Sequence, residues 1–282
     1  MRSFDRAELQ ADRSIYLRMV DCNVRIAAPE PVVSVLEATL ANVPRYSISS
    51  PADLTIVATL FDDVWEIHGA AGARKILTRQ SALPQIAGAI VSTAVTETAL
   101  ARNCTLLRAA VMERDGQALA MIGDDWESAI TVAVHLHDRG WRFLGADNAV
   151  LNSATLEVFA IEKSLYVSSS FLSHLPLRYR NAVEASPWYA TDQNIAFYAV
   201  DPRVGDVRSV WSRSARLAGV IIVDGAEADH PSLESLAPQT LQSERLKRLS
   251  VDWNDVNVVD LKIGGFVETC DLVEHWFASL RA

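Results

Sequence analysis

The sequence is short of the features that would assign it quickly. It has three cysteines in 282 residues, Cys22, Cys104 and Cys270, widely spaced and without Cys-x-x-Cys or paired Cys/His spacing. An odd, scattered set favours reduced, buried thiols over a disulfide framework or a zinc site. No run reaches the roughly 18 apolar residues of a membrane span, and charges break up the first eight residues where a secretory signal needs an apolar stretch. A cytoplasmic protein with no membrane association is the expectation. Basic charge is also scarce: 26 Lys+Arg against 35 Asp+Glu give a net charge of −9, so the electrostatic footprint of a nucleic-acid binder is missing. The cluster Arg245, Lys247 and Arg248 lies beside Glu244 and reads as a solvated helix face.

What is present is apolar residue, half of the chain, enough for one large or two medium cores. Residues 15 to 27 alternate apolar with polar, the period of a half-buried strand. Pro31 then opens a helix whose stripe is Val32, Val33, Val35, Leu36 and Leu40. Strands are expected at 54–60, 64–69 and 74–77, followed by a long Ala-rich helix at 83–101 with both faces packed. These elements make a smaller N-terminal α+β unit over residues 1–103.

Residues 104–282 form the second unit. Strands at 105–113 and 118–122 flank Arg114-Asp115-Gly116, a hairpin turn signal. A helix from about Ser128 to Arg139 ends at Gly140, and strands follow at 142–144, 149–151 and 157–161. This βαβ punctuation favours an α/β sheet with a ligand crevice beyond its strand ends. Residues 164–216 give no clear assignment. Leu217–Val223 is an apolar run of central-strand type, 224–238 reads as a connection, and a helix at about 267–280 ends the chain.

A glycine that leaves a strand and opens a helix is where an anion sits, because free N–H groups and the helix dipole point at it. Gly123 is such a glycine, and its surroundings resemble the HPr kinase/phosphorylase family, whose P-loop domain is of the PEP-carboxykinase-like type. The likeness runs through Leu106-Leu107-Arg108-Ala109-Ala110, Glu113-Arg114-Asp115-Gly116, Ala118–Gly123, Asp138–Leu144 and Gly145-Ala146-Asp147-Asn148, with a further echo from Leu261 through Val273. It implies a P-loop, HPr-kinase-like mixed sheet with flanking helices. The family loop is G-x-x-x-x-G-K-[ST], in which the lysine reaches the β/γ oxygens and the hydroxyl holds Mg²⁺. Aligned from Gly123, this chain has Ser128 at the second glycine, Ala129 at the lysine and Ile130 at the hydroxyl, with Thr131 following. Asp124, Asp125 and Glu127 bring negative charge to a loop meant for a triphosphate, and Trp126 adds bulk. The family's paired aspartates are reduced to Asp147 followed by Asn148, and Arg108 stands where many relatives have a histidine.

Losing the lysine, the magnesium hydroxyl and one metal aspartate together argues against phosphoryl transfer. The leading expectation is therefore a degenerate, pseudokinase-type protein with a binding or regulatory role, acting through a protein or peptide partner and needing no cofactor. A divergent ATP-dependent serine kinase or phosphorylase would take Mg·ATP, use Asp147, and replace the lysine by Arg108 or Arg142. A third reading is a metal-dependent hydrolase, with Asp124, Asp125 and Asp147 as an oxygen-rich site suited to Mg²⁺ or Ca²⁺; against it, acids at a helix N-terminus are stabilised by the macrodipole alone. His135 and His137 are two apart on a helix and face different ways. Ser168–Ser170 lacks a nucleophile elbow and reads as loop. Tyr179, Trp188, Tyr189, Tyr198 and Trp211, interleaved with Arg178, Arg180, Arg203, Arg208 and Arg213, are either a packed irregular region or an aromatic, basic surface for a partner. Family members that phosphorylate HPr assemble as oligomers, so the resemblance also raises a homo-oligomer.

Overall fold

The computed structural model describes residues 12–70, 72, 74–78, 83–123, 126–183, 186, 188–190, 196–203, 211–236 and 256–280. The chain opens with β1 (Arg13–Met19), β2 (Cys22–Ala28), α1 (Glu30–Thr39), β3 (Leu54–Phe61), β4 (Val64–His68), β5 (Arg74–Thr78) and α2 (Leu83–Ala101). The five strands pair in chain order, and only β2 and β3, joined through α1, run parallel. The alternating run at 15–27 is thus a hairpin rather than one strand. Val20 and Asp21 turn the chain with φ of 45° and 60°, the left-handed pair that hairpins favour. Without a glycine or asparagine at either position, the turn left no mark in the sequence pattern.

Helix α1 carries Pro31 in its first turn, where no intrahelical N–H is lost. Helix α2 is buried along both sides. Ile86, Ile90, Val91, Ala94 and Val95 belong to one core with Val24 and Ile56 of the first sheet, and that core also takes in Val150 and Ile161 from the second half of the chain. Small residues in α2 let sheet and neighbour approach together, as its Ala-rich composition predicts.

The second half contains β6 (Thr105–Leu107), β7 (Ala110–Arg114), β8 (Gln117–Gly123), α3 (Trp126–Asp138), β9 (Arg142–Gly145), β10 (Ala149–Asn152) and β11 (Glu157–Phe159). It continues with β12 (Leu165–Ser168), α4 (Leu177–Val183), β13 (Trp188–Ala190), β14 (Ala196–Val200), β15 (Ser214–Glu227), β16 (Ser232–Ser235), β17 (Asn257–Ile263) and α5 (Phe266–Ser279). A mixed sheet runs β6-β10-β11-β15-β8-β7-β9, with β17 also on β15 and β16 on β17. Its centre is parallel: β8, β15 and β17 point the same way. Along β8, Leu119 and Met121 face the core under α3 and α5, while Ala118, Ala120 and Ile122 face a second core on the opposite side. Burial on both faces explains why β8 and Leu217–Val223 read as continuous apolar runs.

Several elements differ from the sequence reading. The strand expected at 105–113 is broken into β6 and β7 at Arg108-Ala109. Residues 164–216 include a small antiparallel sheet, β12-β14-β13, and helix α4. The Ser168–Ser170 run, read as loop, ends β12 and enters a 3₁₀ turn over Ser169–His174. The connection at 224–238 contains the end of β15 and all of β16. Arg245, Lys247 and Arg248 lie outside the described residues. The hairpin at Asp115-Gly116 forms as its sequence demands, with φ of 54° and 82°. Glu113 closes it from a fully buried position, accepting the Gly116 N–H at 2.7 Å and the Arg142 Nε–H at 2.6 Å.

The end of α3 is fixed by a Schellman motif at Gly140, which has φ of 94°. The Gly140 N–H donates to the His137 carbonyl and the Trp141 N–H to that of Leu136, at 3.0 and 3.2 Å. Trp141 is thereby turned inward, its ring centroid 4.8 Å from that of Phe277 and its Nε1–H donating to Glu274 at 3.0 Å. Arg114 and Arg139 complete a cage of cations around Glu274. Burial pushes the Glu274 carboxyl up, but the hydrogen bonds from Trp141 and Arg139 and the charge of Arg114 hold it below the ordinary value. A carboxyl lowered by folding stabilises the native state above its unfolded value of about 4.3, and that contribution disappears as pH falls through the lower folded value. Urea midpoints measured from pH 6 down to pH 3 should therefore drop more steeply for the parent protein than for Glu274→Gln; parallel curves would show that the cage carries no such stability. Cys22 and Cys270 are buried and Cys104 is half-buried, all three as free thiols, and burial pushes Cys270 up to about 12.

Candidate functional site

Strand β8 ends at Gly123, where a side chain is sterically forbidden: a Cβ would lie 2.6 Å from the Val223 carbonyl oxygen of β15. Helix α3 begins at Trp126, two residues before the expected start. In the window that aligns with the family loop, Trp126, Glu127, Ser128, Ala129 and Ile130 are therefore already helical. Ile130 packs into the core beneath α3, and the Thr131 hydroxyl donates to the Glu127 carbonyl at 2.8 Å. Ser128 is buried as well. Asp124 and Asp125 lie outside the described residues. Acidic Glu127 occupies the first turn, where the helix dipole favours it.

Above this corner is a cavity of about 540 Å³. Gly123, Trp126 and Ala129 line it from the β8–α3 corner, Ala146, Asp147 and Asn148 from the turn after β9, and Pro84, Gly88 and Val91 from α2. The site thus brings together Gly123, Trp126, Ala129 and Asp147 but turns Ser128, Ile130 and Thr131 away from the cavity wall. Gly145 sets the height of the Asp147 turn: a Cβ there would meet the Asn148 carbonyl oxygen at 2.2 Å and its carbon at 2.8 Å.

Lys163, absent from the sequence reading, is the decisive addition. It is buried, and its ammonium sits 2.6 Å from Oδ1 and 2.7 Å from Oδ2 of Asp147, 5.7 Å above the centre of the Tyr166 ring. Oδ1 is met by charge without a well-aligned hydrogen bond, so it keeps an accepting lone pair. Lys163 is positioned from the N-terminal unit, since the Ser164 N–H donates to Thr39 O at 2.8 Å, Ser164 Oγ donates to Ala38 O, and the Tyr166 and Thr39 hydroxyls bond each other. No local motif marks Lys163; it reaches Asp147 only because β10 and β11 carry the chain back.

Of the two arginines considered as lysine substitutes, Arg108 lines the cavity at the break between β6 and β7. Arg142 is instead committed to Glu113. Among the described residues no group of three His, Cys, Asp or Glu comes together as a metal site. The His135 Nε2–H donates to the His174 carbonyl, 2.7 Å away, and its ring stacks on Phe266, whereas His137 packs on Tyr179 and Phe143. Within the aromatic, basic stretch, Tyr179 and Trp211 are core residues, Arg178 pairs with Asp138 and Arg203 with Asp201, while the side chains of Trp188 and Tyr189 lie outside the described residues. Arg208 lies outside the described residues. No helix among the described residues is long and apolar enough to cross a membrane.

Neither a protein-family model nor a curated protein matches the chain. Among solved structures, the HPr(Ser) kinase/phosphatase from Coxiella burnetii is similar over 63% of this chain and 90% of that one, with 13% sequence identity and a TM-score of 0.34. A likeness this distant leaves function to be argued from the cavity itself.

Proposed function

We propose that the chain is a catalytically degenerate, HPr-kinase-like protein with a binding or regulatory role exercised through a protein or peptide partner, and that the cavity at the β8–α3 corner is its regulatory site. One observation carries this reading: α3 begins at Trp126, so the positions of the phosphate lysine and magnesium hydroxyl are Ala129 on the cavity wall and Ile130 in the core. Mg·ATP does not fit such a set. A triphosphate needs cationic and N–H donors along its length, and Asp147, the carboxylate left to hold a metal, is already held by the Lys163 ammonium. The cavity does lie between α2 and the second sheet, so occupancy there bears on how the two halves of the chain meet.

Arg108 on the cavity wall favours a second reading, a divergent ATP-dependent serine kinase or phosphorylase in which its guanidinium replaces the lost lysine and Asp147 manages the acceptor proton. Turnover of radiolabelled Mg·ATP, together with thermal shift, separates the two. A ligand present at 100 times its Kd adds about 2.7 kcal/mol, a shift of about 5 °C for a protein of this size. The degenerate protein is expected to give neither turnover nor shift with Mg·ATP. Turnover that disappears in Asp147→Asn would establish the kinase instead.

A further inference from the structure

We propose that the cavity at the β8–α3 corner binds a small organic monoanion, a carboxylate carrying a flat apolar body, with Arg108 holding the charged end and the Trp126 ring packing against the flat part. This inference rests on the reading that the site no longer handles a nucleotide. A cavity of about 540 Å³ lies within the range that takes small molecules. Its walls are mainly apolar, from Pro84, Val91, Met121, Trp126, Ala129 and Ala146. Such a surface holds a hydrocarbon or aromatic body and gives a polyphosphate nothing to bond.

The charges define the other end of the ligand. The described lining residues include two cations, Arg108 and Lys163, and one carboxylate, Asp147. Lys163 and Asp147 answer each other at 2.6–2.7 Å. Among the described residues no carboxylate or carbonyl pairs with Arg108. One unanswered guanidinium calls for one anionic group, and its planar fork matches a carboxylate through two parallel hydrogen bonds. A triphosphate would press several negative charges against Asp147 with one free cation to offset them. A neutral ligand would cover the mouth of the cavity and strip water from Arg108 without replacing it. Lys75 adds positive potential nearby: its ammonium donates to the Oγ of Ser92, a lining residue, at 2.9 Å.

The test uses the full chain and two matched probes, 2-naphthoate and its neutral counterpart 2-naphthamide, followed by isothermal titration calorimetry. Arg108→Gln removes the exposed charge, and Gly88→Leu fills the cavity from α2, where a Cβ meets nothing within 4 Å. Naphthoate is expected to bind, and naphthamide about tenfold or more weakly, the worth of a hydrogen bond to a charged group. Arg108→Gln should erase that preference. Gly88→Leu should abolish binding while the protein melts no lower than the parent, because leucine is the better helix former. No naphthoate binding, equal binding of the two probes, or a preference that survives Arg108→Gln overturns the proposal. A naphthoate failure in a protein inert to Mg·ATP overturns this inference alone, whereas Asp147-dependent ATP turnover overturns the reading beneath it.

Discussion

Replacing Trp141 by alanine should lower stability by about 3–5 kcal/mol, the range for deleting a fully buried aromatic from a core that cannot collapse around the gap. The ring is 1% exposed and serves three neighbours at once. It packs on Phe277 of α5, its N–H binds Glu274, and the Arg114 guanidinium lies 5.7 Å from its centre. Its backbone is pinned by the Schellman motif that ends α3, so the vacated volume has no flexible segment to fill it. Trp141→Phe separates the contributions, keeping most of the ring while deleting the donor to Glu274, and should cost about 1–3 kcal/mol. Urea denaturation measures both. A loss below about 1 kcal/mol for the alanine variant would show that α5 does not depend on this corner.

Gly145→Ala is expected to cost about 3 kcal/mol, at the upper end for overpacking, because the atoms a Cβ meets belong to the Asn148 backbone rather than to a side chain that can rotate away. Asn148 opens directly into β10, and Asp147 lies between the two residues. Relief of the clash must therefore lift the turn and pull the carboxylate off Lys163. The variant should lose stability and naphthoate affinity together, whereas Arg108→Gln should leave stability unchanged and only weaken naphthoate to the level of naphthamide. A Gly145→Ala protein with parental urea midpoint and affinity would mean that the turn yields freely and does not set the floor of the cavity.

Much of this architecture is legible in the sequence wherever one period or one turn residue dominates. The bounds of α2, the Asp115-Gly116 hairpin, the stop at Gly140 and the central strand at Leu217–Val223 all follow from local rules. The Val20-Asp21 turn did not, because its left-handed pair has no glycine or asparagine and Asp21 alone is a weak signal. The break at Arg108 did not either: Leu106 to Met112 is apolar enough to read as one strand, and only β10 on one side and β8 with β9 on the other reveal that two partners divide it. That break is what carries Arg108 to the cavity. Within the site, Gly123, Trp126, Ala129 and Asp147 were visible through a resemblance in spacing. Lys163 was invisible because its pairing with Asp147 is a product of topology, with two strands intervening and the N-terminal unit holding its far side.

Helix α2 gives the chain a form of shared ownership. The first sheet claims it as core, the edge of the second sheet rests on it through Val150 and Ile161, and the cavity takes Pro84, Gly88 and Val91 from it as a wall. A substitution in this one helix is consequently felt in folding, in the joint between the halves and in what the cavity admits. Residues 104–282 expressed alone would keep Asp147, Lys163 and Arg108 and still lack one side of the vessel that holds a ligand. The binding site is inherited from both halves of the chain, and neither can drift without the other.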